Sequence, residues 1–143
     1  MKELFVSEKM IGLITGASSG LGAEFCRQLR DRCRKMILVG RRRDKLQAVA
    51  SELEASGVEA VVVCADLATP LGLTEVVEKI RQQGPVQVLV NNAGFGTLGS
   101  FVETDFDSQQ AMIDLHISAT LRLCRAVIPY MKEAGGGSII NLS

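Results

Sequence analysis

Met10-Ile11-Gly12-Leu13-Ile14-Thr15-Gly16-Ala17-Ser18-Ser19-Gly20-Leu21-Gly22 is the stretch whose reading decides the fold. Its first six residues form a short apolar run of strand length. The glycines that follow make a turn opening onto a helix with Leu21, Phe25 and Leu29 on one stripe. A buried strand that passes through such a turn into a helix is the place where a parallel α/β sheet holds a dinucleotide's pyrophosphate. Free backbone N–H groups and the positive helix end favour the anion, and glycine permits close approach. The spacing is G-x-x-x-G-x-G rather than the commoner G-x-G-x-x-G. Glycine-rich turns of this kind also occur without any ligand.

Outward from that turn the chain alternates regularly. Lys35 to Gly40 predicts a second strand, Val58 to Cys64 a third, Val86 to Val90 a fourth and Ser138 to Leu142 a fifth. Between them lies a helix with Leu46, Val49, Ala50 and Leu53 on one stripe, with Gly57 as its C-terminal cap. A further helix carries Leu73, Val76, Val77 and Ile80 and stops at Gly84-Pro85. A long helix begins near Thr104 or Asp105, with Ile113, Ile117, Leu121, Cys124, Ile128 and Met131 as its expected apolar stripe. Pro129 should bend it or loosen its last turns. Strands apolar on both faces and separated by amphipathic helices specify an α/β fold, a doubly wound parallel sheet of about five strands. There is no internal repeat or linker, so residues 1–143 are read as one Rossmann-type domain.

Composition narrows the function. Of 143 residues, 47% are hydrophobic and 22% charged, which suits a globular chain. Lys+Arg and Asp+Glu both count 16, and this balance argues against a nucleic-acid or membrane-surface binder. Met1 to Lys9 shows no signal-peptide pattern, and no apolar run approaches a membrane span. Cys26, Cys33, Cys64 and Cys124 are scattered, with no Cys-x-x-Cys pair. A reduced, cytoplasmic protein without a metal site is expected.

Two more motifs stand at strand ends. Asp66-Leu67 follows the third strand, where a carboxylate serves either a ligand or the turn into the next helix. Asn91-Asn92-Ala93-Gly94 follows the fourth, where asparagines can pair with backbone. Together with T-G-A-S-S-G-L-G on the first turn, these motifs resemble the short-chain dehydrogenase/reductase family, and the resemblance runs from about Met10 to Ser143. It implies that Gly16, Ser18, Ser19, Gly20, Leu21 and Gly22 surround the cofactor's phosphates and adenosine ribose. It further implies Asp66 and Leu67 beside the adenine, and Asn92, Ala93 and Gly94 along the path to the nicotinamide ribose. An asparagine in the last motif also holds neighbouring strands together in this family.

The end of the second strand, about 20 residues past the glycine turn, discriminates between nicotinamide cofactors. An NAD enzyme carries a carboxylate there, which binds ribose hydroxyls and repels a 2′-phosphate. This chain has Gly40 followed by Arg41, Arg42 and Arg43. A guanidinium pairs well with phosphate, and a basic run near a helix N-terminus suggests a compensating anion. Arg41 is assigned the phosphate contact, Arg42 assists it, and Arg43 faces solvent. NADP(H) is the expected cofactor.

The resemblance implies hydride transfer between NADP(H) and a small carbonyl or alcohol substrate. The family uses a tyrosine as acid/base, a lysine four residues later and a serine on the substrate oxygen. A phenol with a pKa of about 10 needs that nearby cation to act at neutral pH. Tyr130, the single tyrosine, is followed four residues later by Ala134 and is read as structural. Asn141-Leu142-Ser143 matches the start of the family's serine pattern, whose second serine is the catalytic one. Ser143 takes that role only if the register is off by one. The C-terminal part of the family fold is therefore expected to be missing, and the chain alone to be inactive. His116 falls where the family's long helix carries a catalytic asparagine, and is held as an active-site residue able to hold a water or relay a proton. The family's long helix often builds subunit interfaces, so a homo-oligomer is expected. The alternative is a non-catalytic NADP-binding or interaction protein formed by natural truncation.

Overall fold

Strands with no polar face need cover on both sides, and the chain supplies it. The computed structural model describes residues 9–142. The stretch Met1 to Glu8 and Ser143, with the readings attached to them, lies outside those residues. The elements are β1 (Met10–Thr15), α1 (Gly20–Leu29), β2 (Cys33–Gly40), α2 (Arg43–Ala55), β3 (Glu59–Cys64), α3 (Pro70–Gln83), β4 (Val86–Asn91), α4 (Phe106–Ile113), a π-helical turn (Asp114–Ala119), α5 (Thr120–Glu133) and β5 (Ser138–Asn141). All pairings in the sheet are parallel and the order is β3-β2-β1-β4-β5. Beyond β1 the order reverses direction, which makes the β1/β4 boundary the switch point of a doubly wound sheet.

Alternation along each strand divides the core in two. Leu13, Ile37, Val39 and Leu89 pack with Leu73, Val76 and Ile80 of α3 and with Leu123 and Val127 of α5. Ile14, Met36, Leu38 and Val90 pack with Ala23 and Cys26 of α1 and with Leu46, Val49, Ala50 and Leu53 of α2. The α2 stripe is the one expected, and the Gly57 N–H donates to the Glu54 carbonyl just past the helix end. Thr69 caps α3, its hydroxyl accepting from the Gly72 N–H at 3.1 Å, with Pro70 at the first helical position.

The strand boundaries differ slightly from expectation. β2 starts at Cys33 rather than Lys35, β3 at Glu59 rather than Val58, β4 runs through Asn91, and β5 ends at Asn141. In α1 the fully buried residues are Gly22, Ala23 and Cys26. Phe25 and Leu29 only flank the core, and Leu21 is 63% exposed. Small residues sit deepest here because α1 lies close to the glycine turn.

The long helix departs furthest. Its start is as expected, with the Asp105 carboxylate accepting from the Ser108 N–H at 2.8 Å. Its buried face, however, is Ala119, Leu123, Val127 and Met131. Of the expected stripe only Met131 is fully buried and Cys124 partly so, whereas Ile113, Ile117, Leu121 and Ile128 are exposed. The helix is apolar on two sides, and periodicity alone favoured the bulkier one. Its regular pitch is interrupted at Asp114–Ala119, well before Pro129, which sits inside α5 while the helix continues to Glu133.

Candidate functional site

At the switch point the carboxyl ends of β1 and β4 diverge from the loops above them and leave a cleft of about 350 Å³. Its walls bring together most of the residues marked from sequence: Gly16, Ser18, Ser19, Leu21, Arg41, Arg42, Leu67, Asn92, Ala93 and Gly94. Val39, Gly40, Ala65, Phe95 and Leu115 complete it.

The floor depends on two glycines. Gly16 has φ +64°, a conformation side chains rarely adopt. A Cβ on Gly22 would overlap the Gly16 carbonyl oxygen, so the start of α1 and the end of β1 meet at a distance only glycine allows. Thr15 ties this turn to the next strand. Its buried hydroxyl accepts from the N–H groups of Asn92 (3.0 Å) and Ala93 (2.9 Å). Asn92 Nδ2 donates to the carbonyls of Thr15 at 3.0 Å and Gly16 at 3.3 Å. One step deeper, Asn91 Nδ2 donates to Asn141 Oδ1 at 2.8 Å and joins β4 to β5. The asparagines thus hold strand ends together while Asn92 also lines the cleft.

Arg42 reaches back from the start of α2, its Nη2 donating to Ser18 Oγ at 3.1 Å and Ser19 Oγ at 2.6 Å. Arg41 lies beside it on the cleft wall, and Arg43 is exposed outside it. Among the described residues no carboxylate lines the cleft at the end of β2, where Gly40 stands.

Asp66 is not on the wall, although Ala65 and Leu67 on either side of it are. Its Oδ1 accepts from the Ala68 N–H at 3.0 Å, and its backbone carbonyl accepts from the Thr69 hydroxyl at 2.8 Å. The carboxylate therefore makes the turn into α3, the second of the two roles open to it from sequence. Gly20 and Gly22 are likewise off the wall, and Gly22 lies beneath it.

His116 stands behind the wall, half-buried in the π-helical turn. Its Nε2 lies 3.2 Å from the Phe95 nitrogen and 3.0 Å from the Phe95 oxygen. A nitrogen that accepts from the first cannot also donate to the second, so the tautomer selects between them. The ring is pressed against Gly94, where a Cβ would overlap it. π-helical turns are often found at functional sites, and this one sets an imidazole against the loop that leaves β4.

Several contributors were missed by sequence reading. Thr15 had a signal, a hydroxyl at a buried strand end just before the glycine turn. Val39, Ala65 and Phe95 are sequence neighbours of marked residues and could have been found by adjacency. Leu115 is likewise the immediate neighbour of His116. Tyr130 packs against the core and does not line the cleft, as its structural reading expected. Among the described residues no cluster of His, Cys, Asp or Glu could hold a metal, and no helix is long and apolar enough to cross a membrane.

Comparison with known proteins fits this geometry. The family model for short chain dehydrogenase matches residues 10–143. An uncharacterized oxidoreductase of Staphylococcus saprophyticus is 35% identical over 137 residues, covering 93% of this chain and 58% of its own length. Among solved structures, L-sorbose reductase from Gluconobacter frateurii, complexed with NADPH and L-sorbose, matches with a TM-score of 0.86 and 36% identity, over 93% of this chain and 51% of that one. A short-chain dehydrogenase from Sphingobium yanoikuyae in complex with NADPH matches with a TM-score of 0.85 and 36% identity, over 92% of this chain and 52% of that one. The chain belongs to the short-chain dehydrogenase family, a family of oxidoreductases, and carries its Rossmann-type fold. It spans just over half the length of the curated relatives it matches.

Proposed function

We propose that residues 1–143 form the cofactor-binding domain of an NADP(H)-dependent oxidoreductase that moves hydride between NADP(H) and a small carbonyl or alcohol substrate. The observation that carries this reading is the pairing of a glycine floor with a guanidinium-lined rim. Gly16 and Gly22 let the end of β1 close against the start of α1 at the foot of the cleft, where a diphosphate would meet the amides opening that helix, while Arg41 and Arg42 border the same cleft where a carboxylate would repel a 2′-phosphate. NADPH in the solved structures of two relatives supports it. When bound, the nicotinamide supplies the hydride, and this chain's residues bind and orient it. Ser18, Ser19, Gly20 and Leu21 take the phosphate and ribose end, Leu67 the adenine, and Asn92, Ala93 and Gly94 the nicotinamide side. Asp66 acts there through the turn it holds. His116 takes the place of the family's asparagine, fixing Phe95 and able to hold a water or pass a proton. The exposed face of Ile113, Ile117 and Leu121 supports association into a homo-oligomer.

The test is titration with NADPH and NADH side by side, repeated with Arg41→Ala. A clear NADPH preference that shrinks in the variant is expected, and equal affinities in the unmodified protein would overturn the reading. The second reading is a nucleotide-binding protein without turnover; Tyr130, the single tyrosine, packs partly buried against the core and does not line the cleft. Assay with generic carbonyl substrates is expected to show no turnover by this chain alone. A reading frame continuing past Ser143 into a serine and Tyr-x-x-x-Lys would decide for the enzyme, and a native stop codon there for the binder.

A further inference from the structure

We infer that His116 is a pH-responsive positioning residue: its neutral ring holds the Phe95 backbone on the cleft wall, and proton uptake breaks that hold. This rests on the NADP(H) reading and gives the same site a means of regulation.

The contact has two settings. His116 Nε2 lies 3.2 Å from the Phe95 nitrogen and 3.0 Å from the Phe95 oxygen. A neutral ring with its proton on Nδ1 accepts from the Phe95 N–H, and one with its proton on Nε2 donates to the carbonyl. A protonated ring carries hydrogen on both nitrogens and can only donate. The Phe95 N–H then loses its acceptor, and it has no other partner among the described residues. The imidazole is pressed against Gly94, where even a Cβ would come within 2.8 Å of Nε2. The backbone at Gly94 and Phe95 must therefore answer the change, and both residues line the cleft. An asparagine, which the family carries here, offers a donor and an acceptor at once and does not titrate. Histidine puts a charge change in that place between about pH 5 and 8.

Little else around the ring can change charge in its stead. The loop from Asn92 to Gly96 carries no ionisable side chain, and His116 is the single histidine of the chain. Two helices pack on the π-helical turn, α4 with Asp107 and α5 with Arg122, Cys124 and Arg125 in its first half. Asp107, Arg122 and Arg125 are exposed. Asp114, on the turn itself, accepts from Gln110 Nε2 at 3.3 Å. Among the described residues none of these groups bonds to the imidazole.

The experiment measures dissociation constants of the chain and of His116→Asn for NADP⁺ and for adenosine 2′,5′-bisphosphate, at about pH 8 and about pH 5.5. Circular dichroism checks folding, and His116→Gln replaces an asparagine variant that fails to fold. Each protein is compared with itself across pH, so titration of the ligand's own phosphates is common to both. From the higher to the lower pH, NADP⁺ affinity should fall about fivefold further in the unmodified chain than in the variant, the size of one hydrogen bond. The bisphosphate has no nicotinamide to meet this wall, and its pH response should be the same in both proteins. The Phe95 amide resonance should move with pH in the unmodified chain without ligand, and stay fixed in the variant.

Equal pH responses to NADP⁺ in the two proteins, or an excess that appears with the bisphosphate as well, would overturn the inference and leave the cofactor reading standing. A Phe95 resonance indifferent to pH would overturn it too. Failure of the unmodified chain to bind NADP⁺ at either pH would remove the cofactor reading, while the amide resonance would still decide the contact.

Discussion

Asn92 and Thr15 are paired twice: Asn92 Nδ2 donates to the Thr15 carbonyl, and the Asn92 backbone N–H is received by the Thr15 hydroxyl, both at 3.0 Å. The glycine floor of the cleft and the start of the loop that leaves β4 are therefore one unit. Asn92→Asp replaces the donor by a carboxylate facing two carbonyls. We expect a loss of about 2–3 kcal/mol of stability, against about 1–2 for Thr15→Val. Urea denaturation checks the order, and equal losses would mean that the side-chain amide is not the dominant link.

Gly94 and His116 interlock. Gly94→Ala should destabilise by about 1–3 kcal/mol because the new methyl group enters the imidazole's space. Adding His116→Ala should recover about 1 kcal/mol or more of that loss, a non-additivity readable in a double-mutant cycle. Strict additivity would show that the ring does not occupy that space.

The orientation of α5 gives a direct contrast. Leu123 is 1% exposed and Leu121 is 61% exposed. Leu123→Ala should cost about 2–5 kcal/mol, while Leu121→Ala should stay within about 0.5. Thermal or chemical unfolding separates them, and the reverse order would restore the face read from sequence.

Burial pushes the Cys26 thiol from its ordinary 9.0 to about 12 and the Cys33 thiol to about 11. Between pH 9 and those values the folded chain holds protons that the unfolded chain has released. Stability therefore falls as pH rises through this window. Each such thiol contributes a slope of about 1.4 kcal/mol per pH unit there, and Cys26→Ala should flatten the profile by that amount. Under native conditions Cys64 and Cys124, both partly exposed, should alkylate well before Cys26 and Cys33. Even labelling of all four would contradict the packing.

Much of this was legible in the chain. The strands could be read because a parallel sheet buries both faces, so Met36 to Val39 of β2, Ala60 to Cys64 of β3 and Val88 to Val90 of β4 are unbroken apolar runs. The α2 stripe was legible because its other face is charged. The long helix was not, since Ile117 and Leu123 are equally apolar and only the sheet decides which is covered. At the site, glycines and arginines announced themselves by spacing. Asp66 showed the limit of this reading, because a turn carboxylate and a ligand carboxylate look identical until the Ala68 N–H is seen to occupy one oxygen. The contacts of Arg42 with Ser18 and Ser19 cross 24 and 23 positions and leave no periodic trace.

The wide turn at Asp114–Ala119 has a consequence for how the long helix can vary. One residue corresponds to about 100° of rotation, so deleting one there to restore ordinary winding would swing everything after it by more than a quarter circle. His116 could then keep its place against Gly94, or Leu123 its place beneath the sheet, but not both. The surplus residue works as a gear tooth that sets the phase between two faces, and a chain of this design can trade side chains along the rod far more readily than it can change the rod's count.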